Sequence, residues 1–365
     1  MKVLVVDLWP GVGAPGHCLA LQELLEACFG WTTGIIHGYG LSTQKFTQIL
    51  EERRPSLLIL VGSPIRFGTT AEERNNLSRQ LNSTQIVYWE GDAWGRGKPL
   101  TSSLRFWLGM ADHVFHTGGI PRVRSHVGTG SYVHFAPNAY CHVQFASAER
   151  EGPPPVSSNA VVMIGNNVTR SRIPIPGLTG IPGGLPRWRL ARKAERRFRD
   201  SGFHLYGHNW PSSMSSGSLP FNKQINMIRS GSLSINWDHF AHYPNYSSDR
   251  LTISLLAGRP HITTDHPPNC WFPELDGLKL ASSITGILKY ADEVRYSSPL
   301  DRFQWGQKLW EWTRHRMSTR SLAVFMLSRI FAEISPPRLE PWCHLPAPQP
   351  GTLSKNGSRR TNKLV

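Results

Sequence analysis

The sequence predicts an α/β protein of two Rossmann-like domains, each with a parallel sheet, facing a central cleft. Two observations carry this reading. Short aliphatic runs alternate with helix-spaced segments, and the alternation runs through twice with a Pro/Ser-rich break between the passes. The length of 365 residues also exceeds one ordinary core and suits two such halves.

The first pass opens with Lys2–Leu8 (KVLVVDL), apolar enough for a strand buried on both faces. Gly16–Cys28 follows with helical spacing, then Thr33–His37 as a second strand and a helix near Thr43–Arg53. Ser56–Val61 (SLLILV) is the third strand, with a polar helix after it, and Gln85–Trp89 (QIVYW) is the fourth. His113–His116 and Tyr132–Phe135 complete the first domain, residues 1–150. Glu151–Asn159 (EGPPPVSSN) is a linker, where a helix cannot continue and few contacts are expected.

The second pass, residues 160–299, holds strands at Ala160–Ile164, Phe203–Tyr206, Leu233–Trp237 and His261–Thr264. Helices at Arg187–Arg199, Asn222–Arg229 and Arg250–Leu256 separate them. Leu300–Phe331 is a long Trp-rich helical region expected to cross back to the first domain, within a unit of residues 300–335. Residues 336–365 are Pro-rich and then basic, and are expected to be disordered.

Lys and Arg number 40 against 25 Asp and Glu, a formal charge of +15 that attracts polyanions such as nucleic acid, envelope polymers or acidic membranes. A generally basic composition accounts for the same number. The five cysteines show no CxxC and no paired spacing, which fits a reducing compartment without zinc or disulfides. Val3–Val6 is stopped by Asp7, too short for a signal peptide, and Leu322–Phe331 is too short to span a bilayer. A soluble, cytoplasmic protein is expected; its oligomeric state is not legible.

Gly11-Val-Gly13-Ala-Pro-Gly16 matches G-x-G-x-x-G between the first strand and first helix, where glycines let a backbone approach phosphate. A dinucleotide site also needs an acid ending the second strand, and that strand ends Ile36-His37-Gly38. Pro15 further removes an N–H, so a turn lining the cleft or a purely structural turn fits better than nicotinamide binding. Glu90-Gly91-Asp92 follows the fourth strand, where side chains of parallel sheets reach the ligand crevice. Asp92 is the expected general base, with Glu90 second; helix capping or pairing with Arg96 is the plainer alternative.

Gly165, Asn166, Arg170 and Arg172 follow the restart strand and suit a diphosphate, or form an ordinary polar loop. The Arg187–Arg199 helix reads as a solvated basic face, with phosphate-backbone contact as the sharper alternative. Tyr206, Gly207, Asn209 and Trp210 end another strand, and Ser248-Asp249 are good helix caps. Arg250 sits in a first helical turn, where the dipole disfavours a cation, so its place there points to an anion.

These motifs resemble the spore-maturation CgeB-like branch of GT-B glycosyltransferases. The carriers are Ile164-Gly165 with Arg170 or Arg172, Tyr206-Gly207-His208-Asn209-Trp210, Ser234-Ile235-Asn236, and Ser248-Asp249-Arg250 through Gly258. Asp92 and Phe135-Ala136-Pro137-Asn138 fit more loosely. The family's ribose-binding glutamate would fall at Ile253, so Asp249 or Thr252 must substitute or the enzyme is degenerate. A second resemblance is to phage DNA β-glucosyltransferases, through Asp92 at the end of its strand and the loop Leu60–Gly68.

Together these resemblances imply a GT-B fold and a glycosyltransferase with a nucleotide-sugar co-substrate, expected to be a UDP-sugar; no Asp-x-Asp pair suited to Mg²⁺ lies at a strand end, so metal independence is expected. Arg170, Arg172 and Arg250 would neutralise the leaving diphosphate. The acceptor is expected to be DNA or another anionic polymer; protein, envelope polymer and small metabolites are alternatives. A non-catalytic nucleic-acid-binding protein and an NAD(P)-dependent oxidoreductase are the readings from other classes.

Overall fold

The computed structural model describes residues 1–9, 15–91, 100–118, 123–168, 184–240, 243–268 and 271–353. Among the described residues twelve strands make two sheets. In the first, β1 (Lys2–Asp7), β2 (Thr32–His37), β3 (Leu57–Val61), β4 (Gln85–Glu90), β5 (His113–His116) and β6 (Tyr132–Phe135) run parallel. Their order is β12-β6-β5-β4-β3-β1-β2, with β12 (Gln349–Pro350) antiparallel at the edge. The second sheet is parallel throughout, in the order β11-β10-β9-β7-β8. Its strands are β7 (Val161–Ile164), β8 (Phe203–Tyr206), β9 (Leu233–Ile235), β10 (His261–Thr264) and β11 (Leu278–Ala281).

The helices around the first sheet are α1 (Pro15–Phe29), α2 (Thr43–Arg53), α3 (Ala71–Gln80), α4 (Ser102–Met110) and α5 (Ala146–Arg150). Those around the second are α6 (Gly184–Phe198), α7 (Gln224–Arg229), α8 (Asp249–Leu256) and α9 (Ile284–Tyr296). The chain closes with α10 (Pro299–Arg316) and α11 (Thr319–Ser328). Strands β3 and β4 are buried almost without a break because helices cover both faces of a parallel sheet. Helix starts follow local chemistry: Thr70 and Glu73 form a reciprocal capping box on α3, and Ser298 caps α10 with Pro299 behind it.

The last helices tie the halves together. Helix α10 packs on α8 of the second sheet, and α11 packs on α1 of the first. One continuous apolar core therefore includes Val5 and Trp89 on one side and Leu251, Leu255 and Trp310 on the other. The Trp310 indole also donates to Ala148 O at 2.7 Å.

Two expectations need correction. The linker is not poor in contacts, because buried Arg259 donates to Pro154 O and Pro155 O as well as to Gly231 O, Arg229 O and Gly258 O. Nor is the tail disordered from residue 336. Trp342 is 2% exposed, its indole donates to Arg316 O, and β12 adds to the edge of the first sheet. One large buried aromatic supplies the apolar area that a Pro-rich composition lacks, and each proline has less chain entropy to lose. Residues 354–365 lie outside the described ones.

Candidate functional site

In the second sheet the ends of β7 and β8 are locked together. Gly207 has φ 139°, and a Cβ there would overlap the carbonyl of Gly165, so only glycine permits this approach. The Trp210 indole donates to Gly165 O at 2.6 Å, and His208 N donates to Asn166 Oδ1 at 2.9 Å. Asn167 N donates to His208 O at 2.9 Å and its side chain to Asn209 O at 3.0 Å. The Tyr206–Trp210 motif thus shapes the 165–167 loop, and the Trp210 indole N–H and Asn166 Oδ1 are already engaged there.

Above Gly165 two arginines converge. A Cβ at Gly165 would stand 3.2 Å from Arg250 Nε and 3.5 Å from Arg187 Nη1. Arg187 is fully buried on α6: Nε donates to Trp237 O at 2.8 Å and Nη1 meets His239 Nε2. Its Nη2 has no hydrogen-bond partner among the described residues. Burial first, then the charge of Arg250, pull the Arg187 guanidinium down to about 9, against the pull of Asp238. Burial and the same two arginines push His239 down to about 2, so its imidazole is neutral and accepts from Arg187. Arg250 is 22% exposed, with Asp249 Oδ1 3.8 Å away.

Helix α8 contributes its N-terminus. Ser248 has N-cap geometry, yet its hydroxyl makes no cap hydrogen bond and donates to Asp238 Oδ1 at 2.7 Å. No side chain at the cap position therefore accepts from the first-turn amides of α8, and such amides bind anions. Asp238 is buried and also takes Asn236 Nδ2 at 2.8 Å and His266 Nε2 at 3.1 Å. Burial raises its carboxyl, but His266, Ser248 and Arg187 together hold it below the usual carboxylate range. His266 Nδ1 lies 3.0 Å from Tyr243 O, so both ring nitrogens face oxygen atoms.

Ile253 is fully buried beside Arg250, Asn236 and His261, around a pocket of about 10 Å³, room for a single water. Asn236 Oδ1 and His261 Nε2 have no partner among the described residues. Thr252 donates to Asp249 O at 3.1 Å, within the helix's own first turn.

In the first sheet Glu90 is 1% exposed at the end of β4, and the hydroxyls of Ser63 and Tyr88 both donate to its Oε2. It lines a cavity of about 290 Å³ with Trp9, Tyr39, Ser63 and Arg66. The Arg66 guanidinium lies 4.6 Å over the Tyr39 ring. Asn138, after β6, donates to Gly91 O at 2.9 Å and to Ser247 O at 3.1 Å, so the chain just past β4 and the chain just before α8 meet at one amide.

Asp92, Gly11, Gly13, Arg170 and Arg172 lie outside the described residues. Gly16 falls within α1, where a Cβ would stand 2.7 Å from Cys141 Sγ and 2.9 Å from Thr319 Oγ1; its smallness serves helix packing. Sequence reasoning passed over Asp238, His239, His266 and Trp9, and read Arg187 as part of a solvated face. No local signal sets Arg187 apart from the other arginines of α6, which spans Gly184–Phe198. Among the described residues no three His, Cys, Asp or Glu side chains gather as metal ligands, and no helix is long and apolar enough to cross a membrane.

No family model and no curated protein sequence matches the chain, so the CgeB-like family is not confirmed. Solved structures do match. An alpha-glucosyltransferase in complex with UDP-glucose and DNA containing an abasic site aligns with TM-score 0.59 and 9% identity, over 90% of this chain and 98% of that one. The N-terminal domain of Candida albicans trehalose-6-phosphate phosphatase aligns at 0.56 and 7%, over 91% and 96%. T4 phage beta-glucosyltransferase aligns at 0.51 and 9%, over 92% and 100%. At these identities the likeness is one of fold: the chain has the GT-B architecture, two parallel-sheet halves facing a cleft.

Proposed function

We propose that this chain is a glycosyltransferase that moves a sugar from a nucleoside-diphosphate sugar to an acceptor hydroxyl. The observation that carries the reading is the pair Arg187 and Arg250 at Gly165, beside the N-terminus of α8. Two guanidiniums and a helix end with no side-chain cap make an anion site of the kind a diphosphate fits. The donor sits on the second sheet, with its phosphates beside Gly165 and Asn166; Arg170 and Arg172, outside the described residues, are the further candidates to meet them. The acceptor enters the first-sheet cavity beside Glu90.

The chemistry follows from those places. Asp92 takes the proton of the acceptor hydroxyl, whose oxygen bonds to the anomeric carbon of the sugar. The bond from that carbon to the diphosphate oxygen breaks, and the arginines stabilise the charge left on the leaving group. Arginine in this role implies turnover without a divalent cation. UDP-glucose is the first donor to try, because two of the fold neighbours are described in complexes with it or as glucosyltransferases.

DNA is the acceptor we favour, on the charge of +15 and on α6. Its Arg189, Arg192 and Arg196 are exposed, and among the described residues they make no ion pair. Calorimetric titration with UDP, GDP, ADP, dTDP, CMP, NAD and NADP tests the donor class. One nucleoside diphosphate should bind, and Arg250→Ala should weaken it about 10- to 100-fold, the loss of a charge-assisted hydrogen bond of about 1.5–3 kcal/mol. Binding of NAD or NADP alone would overturn the reading. Retention of DNA at moderate salt with no nucleotide bound would replace it with a non-catalytic nucleic-acid-binding protein.

A further inference from the structure

Asn138 joins the chain just past β4 to the chain just before α8. It is 7% exposed, and its amide nitrogen donates to Gly91 O at 2.9 Å and Ser247 O at 3.1 Å. A primary amide has two hydrogens, and both are used. Gly91 lies between Glu90 and Asp92 in sequence, just past β4, while Ser247 directly precedes Ser248, Asp249 and Arg250. The approach is tight: a Cβ at Gly91 would stand 2.7 Å from Asn138 Oδ1 and 2.6 Å from the Trp89 ring.

We infer that Asn138 is a positioning residue that fixes the acceptor-side loop after β4 against the N-terminus of α8. The inference rests on the proposed placing of acceptor and donor on the two sheets. Neither carbonyl it holds belongs to a group that binds phosphate or accepts a proton, so loss of the bridge leaves each half-site intact. What is lost is the distance between them. A nucleophile displaced by about 1 Å from its line of attack can cost about a hundredfold in rate. Water is less demanding of position, and in its place takes the sugar while the nucleoside diphosphate leaves as before. Donor hydrolysis therefore survives better than transfer.

The test uses the full chain with Asn138→Asp and Asn138→Ala. The first keeps the shape but offers no N–H to either carbonyl; the second guards against a fold disturbed by the new carboxylate. Release of UDP from UDP-glucose is measured with and without hydroxymethylated duplex DNA, alongside UDP affinity by calorimetry and amide exchange over residues 85–91 and 244–250. Both variants should hold UDP within about threefold, exchange faster in those two segments, and lose DNA-dependent turnover by at least tenfold. Unchanged DNA-dependent turnover, or turnover and UDP affinity lost together, overturns the inference while leaving the proposed function. No nucleotide affinity in the unaltered chain overturns both.

Discussion

Arg187 and Arg250 converge on Gly165, their nearest nitrogens 3.5 and 3.2 Å from where a side chain at that position would begin. Two like charges are held together there at a cost, since burial and Arg250 both act against the charge on Arg187. An arrangement that disfavours the empty fold is favoured once an anion arrives.

Replacing Arg187 with Met separates these terms. Its removal relieves a desolvated charge but leaves Trp237 O and His239 without their donor and Asp238 without a favourable charge. We expect Arg187→Met to unfold at a somewhat lower temperature but to fold, while nucleotide affinity falls about tenfold or more. A variant that binds UDP as well as the original chain would remove Arg187 from the site; scanning calorimetry and titration decide.

The carboxylates of Glu90, which ends β4, and Asp92, two residues on in sequence, should not be equivalent. Glu90 has Oε2 engaged by the Ser63 and Tyr88 hydroxyls. Asp92→Asn should lower kcat about 10²- to 10⁴-fold with nucleotide binding retained, and Glu90→Gln should lower it less. The opposite order in steady-state rates would move the base to Glu90.

If guanidinium groups neutralise the leaving diphosphate, a chelator has nothing to remove. Turnover of UDP-glucose in millimolar EDTA should match that in millimolar Mg²⁺ within about twofold. Loss of turnover on chelation, restored by adding the cation back, would put a metal where the arginines are placed.

Buried histidines set the acid limit of stability. Burial lowers His261 from 6.5 to about 4, so between those values the unfolded chain binds a proton that the folded chain does not. Stability contributed this way is present above pH 6.5 and is lost as pH falls towards 4, at up to about 1.4 kcal/mol per pH unit. His134, lowered to about 3 by burial and by the charges of His113 and Arg329, acts in the same direction. Urea unfolding of His261→Leu between pH 4.5 and 6.5 should show a slope shallower by about one proton. The slope is the readout, because the substitution also leaves the Ser234 hydroxyl without its 2.8 Å partner. An unchanged slope would mean that His261 is already charged in the folded protein.

The sequence by itself determined the two-pass α/β architecture. Parallel strands covered on both faces must be apolar along their length, as LLILV at β3 is, and that signal is local. It also marked Arg250, because a cation in a first helical turn opposes the dipole whatever the rest of the chain does. It missed β12, a two-residue edge strand of Gln349 and Pro350 with no strand signature, and it misjudged the segment anchored by Trp342. Arg187 was hidden among arginines of the same helix, and nothing in RWRLARKAERRFR says which one the sheet will cover.

Only the tertiary structure decided that Arg187 is inside, that Asp238 draws Ser248 from its capping role, and that Asn138 reaches Ser247 across 109 positions of chain. Periodicity and capping are written over a few neighbouring residues. Burial and pairing depend on which distant surfaces pack together, and residues far apart in sequence carry no mark of that until the chain has folded.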